Sequence, residues 1–189
     1  MEEDITGIRL GGLGGQGVVL AGLILGAAAV HEGLYAAGSS AYGAQSRGSV
    51  CKAEVVISRA PIDYPHVELA DIFVAMSQEG YDAYADQVTE RGKIFFDPAL
   101  VSSHRTYPQD RAFDVTATCI RELREQQVAN IVWVGILARA IKWFSERSLE
   151  QAIREHLPAR HLDLNLQALR LGMTNYELRL TNDELNGAS

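Results

Sequence analysis

The sequence predicts an α/β domain of three layers: helices on both faces of a mixed, mostly parallel sheet, followed by a helical C-terminal part. Three observations carry this expectation. A strand candidate at residues 5–10 runs into the glycine-rich segment GGLGGQG and then into an apolar helical stretch at 18–30. Strand-like runs then alternate with helical ones as far as Phe113, and beyond Phe113 only helical patterns follow. Strands alternating with helices place a sheet between helical layers, and a strand, glycine loop and helix in succession open a Rossmann-like unit.

Each element has a local reason. Residues 5–10 alternate apolar with small or polar side chains, as a strand does. The stretch 18–30 is apolar on every face, which marks a helix buried on most sides. Gly22 and Gly26 lie one turn apart in it, so another backbone can approach that face. A short second strand is expected at 34–37, followed by a small, polar loop from Gly38 to Cys51. Residues 52–58 form a third strand, with Ala53, Val55 and Ile57 on one side. After a turn bracketed by Pro61 and Pro65, residues 71–76 form a buried strand, and Ser77 is placed to cap the helix beginning at Gln78. Gly92 is expected to end that helix, ahead of a strand at 93–96 that stops at Asp97-Pro98. A last short strand is expected at 106–108, then helices at 117–127, 129–144, 148–156 and 158–171. The chain reads as a single domain over 1–189, with an α/β core over 1–115, a helical part over 116–175 and a polar, disordered tail over 181–189.

Charge narrows the classes of function. The chain has 24 acidic and 17 basic residues, a net charge of -7. Residues 61–90 hold seven acids and no Lys or Arg, so this window accounts for the whole excess. An acidic chain without a basic stripe lacks the footprint of a nucleic-acid binder. The longest apolar segment, 131–144, is interrupted by Arg139 and Lys142 and is shorter than the roughly 20 residues that span a bilayer. The start, MEEDITGIRL, puts acids where a secretory signal needs bases. We therefore expect a cytoplasmic chain that engages neither nucleic acid nor membrane. Cys51 and Cys119 are isolated and the histidines scattered, so neither an iron–sulfur nor a zinc site is expected from this chain alone.

Two glycine-bearing loops carry the chemistry. Gly12, Gly14 and Gly17 satisfy G-x-G-x-x-G after a strand and at the start of a helix, with Gly15 and Gln16 inside the motif. Such a loop lets a backbone turn tightly and aims free N–H groups at an anion. A dinucleotide site also needs an acid about 20 residues further on, at the end of the second strand; residues 36–40 contain none. No Lys-Ser/Thr follows the loop, so a phosphate loop of the Walker type fails as well. The same glycines would also serve close helix–strand packing alone, and both readings stay open here. The second loop, SSAYGAQSRGS, sets Arg47 among hydroxyls and amides, with Ser40 and Tyr42 at its start. A guanidinium beside backbone N–H groups suits a phosphate or carboxylate. The loop emerges on the same side as the glycine loop if the second strand runs parallel to the first. No nucleophile elbow, Ser/His/Asp spacing or paired carboxylates with supporting context appear.

The ordered series GLGGQGVVLAGLILGAAA, AYGAQSRGS, KAEVVISRAPIDYP and ADIFVAMSQEGYDAY resembles the gamma subunit of 2-oxoacid:ferredoxin oxidoreductases (the pyruvate/ketoisovalerate/2-oxoglutarate oxidoreductase family). The segment NIVWVGIL, with Asn130 and Gly135, and the closing LNLQALRLGM extend the likeness from Ile5 to about Met173. The resemblance is greatest to separate gamma chains of 2-oxoglutarate and related enzymes. It implies a holoenzyme that oxidatively decarboxylates a 2-oxoacid with coenzyme A, giving acyl-CoA, carbon dioxide and reduced ferredoxin. It also implies that thiamine diphosphate with magnesium, and the iron–sulfur clusters, sit on alpha, beta and in some members delta partner chains. The present chain would then be inactive alone and would supply no catalytic residue. On that view Gly12, Gly14, Gly15, Gln16, Gly17, Ser40, Tyr42 and Arg47 face the coenzyme or the assembly. Gln45 stands where family members often carry an acid and Ser49 where they carry glycine, leaving Arg47 as the charged residue of the loop. The alternative is a free-standing Rossmann-like nucleotide-binding module or NAD-linked dehydrogenase; a third reading is a scaffold whose loops bind nothing.

Overall fold

The computed structural model describes residues 5–42, 49–104 and 109–187, with side chains described to residue 181. Strands β1 (Ile5–Leu13), β2 (Tyr35–Tyr42), β3 (Val50–Ser58), β4 (Ala70–Ala75), β5 (Val88–Phe96) and β6 (Arg111–Ala112) form one sheet in the order β2-β3-β1-β4-β5-β6. β1, β4, β5 and β6 pair in parallel, while β3 runs antiparallel to both β1 and β2. The sheet is therefore mixed, with its parallel half on the β4 side of β1.

Alternation along β1 sorts the two faces. Ile8 and Leu10 enter a core shared with α1 (Val18–His31), α4 (Ala129–Ile141), α5 (Glu146–His156) and α6 (Leu162–Gly187). Arg9 points the other way, toward the side where Val56, Phe73 and Ile94 pack beneath α2 (Gln78–Tyr84). Helices on both faces complete the three layers. α1 is buried through Val18, Ala21, Ile24, Leu25, Ala28 and Ala29, in keeping with its all-apolar sequence. The neighbour at Gly22 is the chain's own β3: a Cβ there would lie 2.9 Å from that of Ala53. α4 is buried from Asn130 to Ala138 and is the central helix of its layer. Ser77 caps α2 as expected, its hydroxyl accepting the Gly80 N–H at 3.1 Å.

Several boundaries differ from the sequence-based expectation. β1 continues to Leu13, taking in the first glycines of the loop, because β3 pairs with it as far as Leu13↔Val50. β2 extends to Tyr42 through residues expected to be loop; its partner β3 supplies the ladder, and an edge strand tolerates small polar side chains. Gly92 does not end α2, which stops at Tyr84, but sits within β5 where the pairing with β4 shifts between Ala70 and Ile72. A Cβ on Gly92 would meet the Ala70 carbonyl oxygen at 2.7 Å, so the irregularity requires a residue without one. The helix expected over 117–127 is a short α3 (Val115–Thr118) continued by a π-helical turn at Cys119–Leu123 and ended by Arg124 at φ 54°. α4 stops at Ile141 because Lys142 adopts φ 62°. α5 begins at Glu146, capped by Ser145, whose hydroxyl accepts the Ser148 N–H at 3.2 Å. α6 follows a 3-10 turn (Ala159–His161) and runs to Gly187, through a tail expected to be disordered. The strand expected at 106–108 falls outside the described residues.

Candidate functional site at the sheet switch point

After β1 the chain crosses one face as α1 and returns on the left as β2; after β4 it crosses the other face as α2 and returns on the right as β5. The carboxyl ends of β1 and β4 therefore bound the crevice where open α/β sheets hold ligands. The glycine loop lies there. Gly15 (φ 103°) and Gly17 (φ 72°) occupy the left-handed region that other residues avoid. Gly17 precedes α1 without a side-chain cap, which leaves the helix N-terminus to backbone groups and whatever ligand approaches.

Gln16 fastens this loop. Its Oε1 accepts the Leu13 N–H at 2.7 Å, and its Nε2 donates to the Met76 carbonyl at 2.9 Å, so one amide ties the end of β1 to that of β4. Met76 N–H donates to the Gly11 carbonyl at 2.7 Å. Asn130, from the central helix, donates to the Gly17 carbonyl at 3.3 Å. Gln16 is thus a positioning residue whose polar atoms are turned into the loop. Gln16→Ala removes two hydrogen bonds worth about 1 kcal/mol each. We expect its urea midpoint to fall by an amount equivalent to about 1–2 kcal/mol, and an unchanged midpoint would remove Gln16 from this role.

A cavity of about 220 Å³ adjoins the loop, with Gly15, Gln16, Met76, Thr116, Gln127 and Trp133 among its walls. Among the described residues its lining carries no charge, and an anion placed there would meet backbone, amide, hydroxyl and indole dipoles. The carboxylate of Asp97, buried at the end of β5, does not open to it: its oxygens accept the N–H groups of Ala99 at 2.9 Å and Thr116 at 2.6 Å.

The structure brings some expected site residues together and separates others. β2 and β1 are both antiparallel to β3, so they run in the same direction and their loops emerge at one end. The Gly14 N–H donates to the Ser49 carbonyl at 3.0 Å, which joins the glycine loop to the end of the second loop. Arg47 and the rest of 43–48 lie outside the described residues. Ser40 and Tyr42 belong to β2 and not to a loop; Tyr42 is 62% exposed. Ser40 lines a separate groove of about 440 Å³ between α1 and β2, beside Leu23, Gly26 and Val30. β3 stands between β1 and β2, so the second strand does not reach the glycine loop as it does in a dinucleotide site.

The sequence reading missed a buried ionic cluster on the α2 face. Arg9, 1% exposed, donates through Nε to Glu54 Oε1 at 2.8 Å, and Lys52 Nζ reaches the same oxygen at 2.8 Å. Arg9 also donates to the carbonyls of Val67, Glu68 and Gln87, and both cations lie 5.7 Å from the ring centroid of Tyr84. Burial works against the charge of Glu54, but Lys52 and Arg9 outweigh it and hold the carboxyl below its ordinary range. A charged residue inside the apolar run of β1 was the available signal; its partner, 45 positions away, was not.

The cysteines do not fit a cluster. Cys51 and Cys119 are buried in different elements, and burial, helped by the Asp97 carboxylate, pushes the Cys119 thiol up to about 11. Among the described residues no group of three or more His, Cys, Asp or Glu gathers as metal ligands, and no helix is long and apolar enough to cross a membrane.

An open mixed sheet with a glycine loop at its switch point defines an α/β chain of the Rossmann-like class. Residues 7–175 match the pyruvate ferredoxin/flavodoxin oxidoreductase family. The chain is 41% identical over 169 residues to the 2-oxoglutarate synthase subunit KorC of Methanocaldococcus jannaschii, covering 87% of this chain and 90% of that one. It is 33% identical to the ketoisovalerate oxidoreductase subunit VorA of Methanothermobacter thermautotrophicus, of which it spans 35%. Among solved structures, a keto/oxoacid ferredoxin oxidoreductase gamma subunit from Geobacter sulfurreducens superimposes with a TM-score of 0.80 at 32% identity, over 93% of this chain and 98% of that one. The fold also recurs, at 21% identity and a TM-score of 0.84, in a 2-oxoglutarate:ferredoxin oxidoreductase from Magnetococcus marinus, covering 94% of this chain and 32% of that one. The chain belongs to the pyruvate ferredoxin/flavodoxin oxidoreductase family, as a gamma-type subunit of the 2-oxoacid:ferredoxin oxidoreductases.

Proposed function

We propose that this chain is the gamma subunit of a cytoplasmic, multi-subunit 2-oxoglutarate:ferredoxin oxidoreductase. The observation that carries this reading is the 41% identity to a KorC chain over nine-tenths of that chain's length. The reaction of the whole enzyme cleaves the bond between the carboxyl and the 2-oxo carbon. Carbon dioxide leaves, the acyl carbon joins the coenzyme A sulfur as the thiol proton is released to solvent, and two electrons pass to ferredoxin. Thiamine diphosphate with magnesium, and the iron–sulfur clusters, belong to alpha, beta and, where present, delta chains. The buried, isolated cysteines described above are consistent with that division. The glycine loop and Arg47 serve the anionic coenzyme or the assembly: the loops contain no acid in sequence, so their charge is neutral to positive in an acidic chain.

Reconstitution tests this directly. The isolated chain should show no 2-oxoglutarate-dependent ferredoxin reduction, and activity should appear only with the partner chains. Turnover by the chain alone would overturn the proposal, as would tight NAD binding without coenzyme A binding in calorimetry. In the reconstituted complex, Arg47→Ala should raise the KM for coenzyme A about tenfold with little change in kcat, the signature of lost ground-state binding. An unchanged KM would reduce the loop to a scaffold.

A further inference from the structure

At the end of the sheet opposite the glycine loop, a second cavity of about 430 Å³ opens between β4, β5 and the end of α4. Among the described residues, Arg59, Arg91, Lys93 and Lys142 line it together with a single carboxylate, Asp71. Such a surplus of cations runs against the balance of a chain whose net charge is -7. We propose that this cavity is a binding site for a small polyanion carrying two or more phosphate or carboxylate groups.

Two features distinguish it from a solvated basic surface. The first is shape: its volume falls within the few hundred Å³ typical of small-ligand sites, and Ile72, Ala140 and Ile141 give it an apolar floor. The second is preorganisation. Asp71 Oδ2 accepts the Gly7 N–H at 2.8 Å and its Oδ1 faces the Thr89 hydroxyl at 3.5 Å, which fixes the carboxylate at the wall. The Arg59 guanidinium lies over the indole of Trp143, 5.4 Å from the ring centroid, so it is ordered by a cation–π contact.

The competing account is that these bases neutralise the C-terminus of α4. A helix end carries about half a negative charge, whereas among the described residues, with Arg59 set aside as already partnered, three cations face one carboxylate here. Most of the surplus remains, and among the described residues Arg91, Lys93 and Lys142 take part in no ion pair.

The site lies apart from the glycine loop and does not rest on the family reading, so each can fail without the other. The test is calorimetry on the full chain with inorganic pyrophosphate and, separately, citrate, at about 50 and 300 mM salt. Pyrophosphate binding assigns phosphate as the recognised group, citrate binding carboxylate; one or both should bind with unit stoichiometry and weaken about tenfold at the higher salt. Arg91→Ala with Lys93→Ala should weaken binding at least tenfold, while Gln16→Ala should leave it unchanged. Both substituted side chains are exposed; an unchanged circular dichroism spectrum checks folding, and Arg91→Glu supplies an independent variant. Glu2, Glu3 and Asp4 precede the rim residue Thr6 in sequence. Replacing them by Gln, Gln and Asn should change the affinity less than threefold; a larger gain would assign the cations to the chain's own N-terminus and overturn the proposal. Failure of both anions to bind at millimolar concentration, or binding indifferent to Arg91 and Lys93, would overturn it as well.

Discussion

Arg9→Met lowers the unfolding free energy by about 3 kcal/mol. Removing one partner of a buried ion pair typically costs about 3–5 kcal/mol, because the charge left behind has lost both water and counter-ion. Here the loss falls at the lower end, since Lys52 still reaches Glu54 Oε1. The carbonyls of Val67, Glu68 and Gln87 lose their guanidinium donor as well. The paired substitution Arg9→Met with Glu54→Leu should recover part of the stability, because no unpaired buried carboxylate remains, while the three carbonyls still lack a donor and Lys52 loses its partner. Urea unfolding of the three chains measures this; a loss under 1 kcal/mol for Arg9→Met alone would refute it.

The same cluster makes stability depend on acid. The Glu54 carboxyl is held below its ordinary value of 4.5 in the folded chain. Its contribution is therefore complete above that ordinary value and is lost as the pH falls through the depressed folded value. Between pH 7 and pH 3 the parent chain should lose more stability than Glu54→Gln does. Parallel curves for the two would show that this carboxylate contributes nothing to the acid sensitivity.

Gly172→Ala destabilises the chain although alanine is the better helix former. On propensity alone the change favours the folded state by about 1 kcal/mol. Gly172 lies where α6 crosses α4, and a Cβ there would sit 2.0 Å from the Val132 carbonyl oxygen. The reciprocal position behaves alike: a Cβ on Gly135 would lie 2.2 Å from the Leu169 carbonyl oxygen. Both obstacles are backbone, so the helices themselves must separate, and overpacking of this kind costs about 1–3 kcal/mol beyond the propensity gain. We expect Gly172→Ala to lower Tm by several degrees, and the pair Gly135→Ala with Gly172→Ala to cost less than the sum of the two. Once α4 and α6 have moved apart, the second methyl finds room. A raised Tm for either single variant would show that the contact is not tight.

Of the candidate site, the glycine loop was legible because its signal is local: glycines at fixed spacing between a strand and a helix. The Ser77 cap was legible for the same reason. The role of Gln16 was not, since its amide acts on Met76, 60 positions on. The sequence places Ser40 in a loop that follows a short second strand at 34–37. Pairing with β3 lengthens that strand to Tyr42 and carries Ser40 into a different groove. The basic cavity left no mark in sequence, because Arg59, Lys93 and Lys142 come from separate segments and meet only in the folded chain.

The opening order of strand, glycine loop and buried helix, the helical second half and the family likeness were determined by the sequence itself. They rest on residue period, caps and short motifs, which neighbouring residues set. Tertiary structure alone decided that β3 lies antiparallel between β1 and β2, that Arg9 meets Glu54, and that α4 and α6 touch at Gly135 and Gly172. Those contacts join positions tens of residues apart, and packing of the whole core selects among many pairings that local propensity leaves equivalent.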